Sequence, residues 1–339
     1  MTERRRPRVA VLGAGSWGTC VASLSSRSAP TVLWARRAER AEEIDQRHTN
    51  ETYLPGARLP DGLRGTSSLA DAVGEADVLV SAIPAQSLRS VLSEVAPLVR
   101  PWIPVVSLSK GLERDSKKRM TQIIAEFLPG HPAGALSGPN IARDVMNGYA
   151  AAATIAMPDA GTAAQLADLF RTQRFRIYST ADVIGVELAG ALKNVYAIAV
   201  GMADGAGAGE NTKAMVMTRA AREMARLGEA LGGDRETFAG LAGMGDLIVT
   251  CISPHSRNRH VGEELGRGRP LAEILAGMSQ VAEGVKTASV AMKLAAEAGL
   301  ELPIAREVDG VLNAGTTVFD AYRGLLRIGP GHEVTGEGW

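Results

Sequence analysis

The hydrophobic pattern of this 339-residue chain changes character near Thr180. Before that point, short unbroken apolar runs bounded by glycine, proline or charge alternate with stretches of helical period. Residues 8–12, 31–35, 76–83, 104–109, 151–156 and 175–178 read as strands buried on both faces, and 135–140 as a strand running into a turn. Residues 69–73, 86–99, 117–127 and 163–170 read as helices, and the polar, proline-marked stretch 42–66 as a helix followed by a loop or hairpin. This alternation predicts an α/β fold, a doubly wound and mainly parallel sheet with extra strands. After Thr180 the strand pattern stops. Segments 183–204, 212–231, 283–299 and 304–313 carry apolar residues at helical spacing, which predicts an all-α domain. The expected division is 1–181, 182–328 and a loose glycine-rich tail, 329–339.

The longest apolar segment, 182–204, is interrupted near its middle by Lys193 and Asn194. Its alanines and leucines, and its lack of proline, favour a buried helix. A membrane span competes with that reading, but Glu187, Lys193 and Asn194 oppose it, since a central charge costs roughly 2.5–3.5 kcal/mol on an insertion scale. A lysine snorkelling out of a core helix also competes. A lysine held inside is desolvated, its ammonium is disfavoured and its pKa falls toward working pH, the property needed to donate or accept a proton.

Composition narrows the class. Apolar residues make up 45% of the chain, enough to fill two cores, while 37 basic residues balance 37 acidic ones, so there is no electrostatic footprint for nucleic acid or an anionic membrane. Cys20 and Cys251 lie too far apart in sequence to suggest a disulfide framework, and the five histidines show no metal-ligand spacing. A reducing cytoplasm and no metal are the expectations. The basic N-terminal residues 1–8 read as an exposed arm, because the glycines at 13, 15 and 18 break the apolar run a secretion signal would need.

Candidate chemistry sits at the strand ends. The first strand runs into Gly13-Ala14-Gly15-Ser16-Trp17-Gly18 and then a helix, the order of a dinucleotide fingerprint. Gly13 permits the tight turn, Gly15 lets the backbone approach a pyrophosphate, and Gly18 allows close helix packing. The second strand ends at Arg36 and Arg37 with no acid to hold a free ribose 2′-hydroxyl, whereas guanidiniums suit a 2′-phosphate. Lys110 follows the strand at 104–109, at the carboxyl end where open α/β sheets bind ligands. In the helical half two loops stand out, 243–247 with Asp246, and 253–259 with Arg257 and Arg259 ahead of a helical stretch, an arrangement able to bind an anion.

Taken together, GAGSWGT (13–19), LSKGLE (108–113), LSGPNIA (136–142), ELAGALKNVYAIA (187–199), GENTKA (209–214), GMGDLIVTC (243–251), SRNR (256–259) and VAEGVKTA (281–288) make the chain resemble the bacterial NAD(P)-dependent glycerol-3-phosphate dehydrogenases over nearly its whole length. The resemblance implies a Rossmann-type domain followed by a helical domain, in a homodimer without membrane insertion. It implies reduction of dihydroxyacetone phosphate to sn-glycerol 3-phosphate, a phospholipid precursor, with NADPH and also NADH. It gives Lys193 the proton transfer, with Asp246 and Lys110 as catalytic companions. Around the substrate it puts Lys110, Gly138, Lys193, Asn194, Asp246, Ser256, Arg257 and Asn258. Around the cofactor it puts Gly13, Gly15, Ser16, Trp17, Gly18, Arg36, Arg37, Lys110, Ala142, Arg257, Val281 and Glu283. Asn140-Ile141 departs from the Ser/Thr-Phe found in many relatives. Two alternatives remain open at this point: a hydroxyacid dehydrogenase of the 3-hydroxyisobutyrate type, and a non-catalytic NADPH-binding sensor.

Overall fold

The computed structural model describes residues 6–278, 280–326 and 329. The chain forms two compact units, one built from the residues up to Ser109 with Arg119–Val186, the other from Lys110–Lys118 with the residues from Glu187 onward. The tail expected at 329–339 lies, apart from Gly329, outside the described residues.

In the first unit β1 (Val9–Leu12), α1 (Ser16–Ser25), β2 (Thr31–Trp34), α2 (Ala38–Glu42), β3 (Leu63–Thr66), α3 (Leu69–Val73), β4 (Val78–Ser81), α4 (Leu88–Val95), β5 (Val105–Ser107), α5 (Met120–Phe127) and β6 (Ala133–Ser137) alternate as the pattern requires. They are followed by α6 (Ala142–Met146), β7 (Ala151–Ala156), α7 (Ala160–Phe170) and β8 (Phe175–Thr180). The eight strands form one sheet in the order β3-β2-β1-β4-β5-β6-β7-β8. β1 to β6 run parallel; β7 is antiparallel to β6, and β8 is parallel to β7. Successive residues of β1 serve opposite cores: Val9 and Val11 pack with Leu33, Val80 and Ile155 on one face, Ala10 and Leu12 with Leu79, Leu88 and Ile123 on the other. A strand buried on both faces has to be apolar throughout, which explains the unbroken runs. The strand order reverses between β1 and β4, the kind of point at whose carboxyl ends open α/β sheets bind their ligands.

Three local expectations are corrected. The loop or hairpin expected within 42–66 holds a π-helical turn, Glu43–Arg47, and the edge strand β3, which pairs parallel to β2. Only Leu63 of that strand is buried, so it lacks an apolar signature, and Gly65 is needed because a Cβ there would stand 2.4 Å from the carbonyl oxygen of Ala41. The helix expected from 117 starts at Met120, since Lys117 turns the chain with a φ of +60°. The loop expected at 243–247 is instead helical, as the next paragraph describes.

The second unit is all helical among its described elements. It takes in most of α8 (Val183–Gly205), then α9 (Glu210–Ala230), α10 (Arg235–Ala239), a π-helical turn Leu241–Gly245, α11 (Asp246–Ile252), α12 (Arg257–Gly266), α13 (Leu271–Ala276), α14 (Glu283–Glu297), α15 (Pro303–Asn313) and α16 (Val318–Leu326). α8 is long and apolar enough to cross a membrane, yet 89% of its most apolar window is buried inside the protein. Glu223 of α9 is buried and accepts hydrogen bonds from the N–H groups of Ile304 and Ala305 at 2.8 and 3.2 Å and from the Tyr196 hydroxyl at 3.1 Å, satisfying donors at the start of α15. Burial pushes its carboxyl up to about 7 despite those donors.

α8 and α12 touch backbone to backbone. A Cβ on Gly201 or Gly205 would stand 2.1 or 2.0 Å from the carbonyl oxygens of Arg259 and Glu263, and one on Gly262 or Gly266 would stand 2.1 or 2.4 Å from those of Ile198 and Met202. The two pairs recur four residues apart on each helix, so one face of each is a glycine groove. Gly262→Ala gains about 1 kcal/mol of helix propensity, but overpacking of about 1–3 kcal/mol against a rigid carbonyl outweighs it. A lower urea midpoint is expected; one at or above the parent's would show that the helices are not held at this separation.

Candidate active site

Lys193 lies near the middle of α8 and is buried with its ammonium, not snorkelled outward. Its Nζ donates to Asp246 Oδ1 at 2.8 Å and to Thr250 Oγ1 at 2.5 Å. The other carboxylate oxygen, Asp246 Oδ2, accepts from Lys110 Nζ at 2.6 Å. Asp246 opens α11, and its side chain is only 2% exposed. One turn later Thr250 donates to the Asp246 carbonyl at 2.6 Å, which aims its lone pairs at the lysine.

Electrostatics follow from burial. Desolvation pushes Lys193 down from 10.5 to about 8; Asp246 opposes the fall and the Lys110 ammonium adds to it. Desolvation alone would raise Asp246, but the ammoniums of Lys110 and Lys193 outweigh it and hold the carboxyl below its ordinary value. Two ammoniums share one carboxylate inside a low-dielectric site. A buried ion pair gives little net stability, so this grouping points to chemistry rather than to folding. Burial pushes the neighbouring Cys251 thiol up to about 12, which leaves it unreactive.

A chain of amides runs beside the charges. Asn194 Nδ2 donates to the Lys110 carbonyl at 2.8 Å, Asn258 Nδ2 to Asn194 Oδ1 at 2.9 Å, and the N–H of Gly284 to Asn258 Oδ1 at 2.9 Å. The segment 110–118, α8, α12 and α14 are thereby tied at one place. Lys110–Lys118 accordingly belongs to the second unit, although the sequence reading put it with the first. Ser256 caps α12 by accepting from the N–H of Arg259 at 3.2 Å. Arg257 is the first residue of that helix and is exposed, with Glu283, the first residue of α14, as a carboxylate acting on it. Val281 is exposed just ahead of α14.

The remaining expected residues lie in the first unit, at the carboxyl ends of its strands. Gly13 has a φ of +107°, and a Cβ on it would stand 2.8 Å from the Ala82 carbonyl oxygen, while one on Gly18 would stand 2.0 Å from that of Gly13. Gly15, the N-cap of α1, has open space on its Cβ side, with nothing within 4 Å. α1 carries no side-chain cap and no acid in its first turn, so its first N–H groups are left for an anion. Trp17 packs edge-on against Phe175, and its indole N–H is buried without a partner. Arg36 and Arg37 are exposed at the end of β2. Gly138 follows β6 with a φ of +148°, and Ala142 begins α6. An open cradle of N–H donors with two guanidiniums at its far end fits a dinucleotide.

A doubly wound sheet with a glycine fingerprint at its strand reversal, followed by a helical domain holding a desolvated lysine, defines a nicotinamide-dinucleotide-dependent dehydrogenase. The descriptions of the N-terminal and C-terminal parts of NAD-dependent glycerol-3-phosphate dehydrogenase match residues 8–163 and 182–323. The chain is 59% identical to the NAD(P)+ glycerol-3-phosphate dehydrogenase of Mycobacterium avium, over 99% of both chains. It is 55% identical to that of Sphingopyxis alaskensis, over 97% of this chain and 99% of the other. Among solved structures, the glycerol-3-phosphate dehydrogenase of Coxiella burnetii superimposes with a TM-score of 0.91 at 32% identity, over 95% of this chain and 99% of that one. The chain belongs to the NAD(P)-dependent glycerol-3-phosphate dehydrogenases. It is an oxidoreductase that interconverts dihydroxyacetone phosphate and glycerol 3-phosphate with NAD(P)H.

Thr250 was not foreseen. Asp246 and Thr250 stand four apart, a spacing that pairs side chains on a helix, but with 243–247 read as a loop the spacing carried no meaning. The geometry also predicts opposite responses of Lys193 to its two neighbours. Asp246→Asn removes the charge that raises its pKa, so the value should fall below about 8, whereas Lys110→Gln removes the one that lowers it, so the value should rise. Nitrogen-detected NMR of the labelled lysine ammonium measures both; shifts of the same sign would contradict this electrostatic assignment.

Proposed function

We propose that Lys193 is the proton donor to the C2 oxygen of dihydroxyacetone phosphate, and the acceptor of that proton in the reverse direction. The observation that carries this is its buried ammonium, held between Asp246 Oδ1 and Thr250 Oγ1 with a pKa brought down to about 8. Asp246 aims the ammonium and keeps it charged. Lys110, on the other carboxylate oxygen, stabilises the negative charge that develops on the substrate oxygen. Arg257, Asn258 and the capped start of α12 hold the phosphate, with Asn194, Ser256 and Gly138 completing the surroundings, so that a non-reacting group positions the carbonyl. When bound, NAD(P)H supplies the hydride. Gly13, Gly15, Ser16, Trp17 and Gly18 hold its pyrophosphate end, Arg36 and Arg37 the 2′-phosphate, and Lys110, Ala142, Arg257, Val281 and Glu283 the rest of its surroundings.

The same reading assigns residues 1–181 to the dinucleotide and 182–328 to the substrate, in a cytoplasmic homodimer without membrane insertion that supplies the glycerophospholipid backbone. Balanced charge, two free buried cysteines and the burial of α8 support the cytoplasmic part; the dimer and the phospholipid role rest on the family resemblance.

Two measurements bear on these roles. Reduction needs the lysine charged and oxidation needs it neutral, so kcat/KM for reduction should fall, and for oxidation should rise, as pH passes through about 8. Lys193→Ala should lower kcat by roughly 10²–10⁴, the range for a general acid–base residue, and abolish that limb. A variant within tenfold of the parent would remove Lys193 from the role. Neutral replacements of both Arg36 and Arg37 should weaken NADPH far more than NADH in a fluorescence titration, because only NADPH carries the 2′-phosphate. Equal losses would mean the two arginines do not read it.

A further inference from the structure

The glycine loop is held from behind by a strap, residues 49–54, that follows the π-helical turn after α2. Asn50 in this strap is fully buried. Its Nδ2 donates to the carbonyl of Ala14 at 3.0 Å and to Thr19 Oγ1 at 2.8 Å, while its Oδ1 has no partner. The Ser16 hydroxyl donates to the Tyr53 carbonyl at 2.8 Å, a second tie between loop and strap. The strap's other end is fixed by the buried carboxylate of Glu43, whose Oε1 accepts from the N–H of Glu51 at 2.7 Å and from Thr49 Oγ1 at 3.2 Å. Burial raises that carboxyl, but those donors and the guanidinium of Arg40 outweigh it and hold it below its ordinary value, so it stays an acceptor.

The consequence lies in one peptide plane. The Ala14–Gly15 peptide is trans, as is every peptide bond among the described residues, so the carbonyl of Ala14 and the N–H of Gly15 point in opposite directions across a planar unit. Capturing the carbonyl on the strap side turns the N–H outward. That N–H finds no acceptor among the described residues, and it belongs to the residue whose Cβ side is open. We infer that Asn50 is a positioning residue for the cofactor: by holding the Ala14 carbonyl it presents the Gly15 N–H to the pyrophosphate, and thereby sets the affinity for NADPH and NADH alike. An unbound peptide in this glycine-flanked turn is free to rotate, because glycine accepts conformations on both sides of φ.

This rests on the reading of the glycine loop as the pyrophosphate site, and the experiment separates the two. Dissociation constants for NADPH and NADH are measured by fluorescence titration for Asn50→Leu, Thr19→Val and Gly15→Val, with steady-state kinetics alongside. Asn50→Leu should weaken both cofactors by the same factor, about tenfold or more, as expected for one hydrogen bond to a charged oxygen. At saturating cofactor, kcat and the KM for dihydroxyacetone phosphate should stay within twofold of the parent, a split that simple loss of folded protein does not produce. Thr19→Val keeps its shape and removes only the second anchor of Asn50, so it should weaken both cofactors about threefold; it decides the matter if Asn50→Leu fails to fold. Gly15→Val fills the open space and should abolish binding. If Gly15→Val abolishes binding while the other two leave both cofactors within twofold, Asn50 has no positioning role and the loop reading stands. If Gly15→Val also binds normally, both readings fall.

Discussion

The constraint on which the second unit depends is the removal of three charges from water at one point. Lys193, Asp246 and Lys110 lie within hydrogen-bond distance along a line, and none is freely hydrated. Removing the carboxylate would leave two ammoniums facing one another in a medium that screens them poorly. Each member therefore has to arrive on a separately anchored element: the lysine on a long core helix, the aspartate at the first position of α11, and Lys110 on a segment pinned by Asn194. The arrangement costs stability, and that cost appears as the depressed pKa of Lys193, the property a proton donor near neutral pH requires.

Glu223 makes a useful contrast within the same unit. It too is buried and shifted toward neutrality, but its oxygens are taken up by the start of α15 and the Tyr196 hydroxyl. A perturbed carboxylate whose hydrogen bonds go to helix-start N–H groups and a buried hydroxyl, with only the Arg226 charge acting on it besides, reads as a structural cap. Lys193 is shifted instead among charged side chains, with desolvation and the Lys110 ammonium lowering it and Asp246 opposing them, the setting that supports the role proposed for it.

Glycine supplies the geometry in both units by different means. At the start of the first, Gly13 and Gly18 allow strand, turn and helix to approach within contact distances that no Cβ permits, and Gly15 leaves space outside. Along α8 and α12 the glycines bring two backbones together, which holds Asn258 against Asn194, four residues from the first glycine of the α12 groove. Positioning in each case comes from a missing side chain that lets rigid backbone set the distance.

Sequence pattern alone determined the alternating half, the helical half and the fingerprint, because each is a local property: apolar runs report strands buried on both faces and helical period reports one packed face. It placed Lys193 in an apolar helix, but the structure decided that the lysine stays inside rather than snorkelling out. The charged residues of the cluster were legible one at a time. Which of them touch was decided by the tertiary structure, since Lys110, Lys193 and Asp246 are separated by whole elements and a hydrogen bond between them leaves no periodicity. β3 escaped the pattern because an edge strand with one buried residue has no apolar run, and Asn50 because a polar residue in a polar stretch looks solvated until the fold buries it. Thr250 was hidden by a wrong local reading, a helix taken for a loop because glycine surrounds it. The sequence carries what each residue can do; the packing of distant elements decides which partner removes it from water, and so whether it does it.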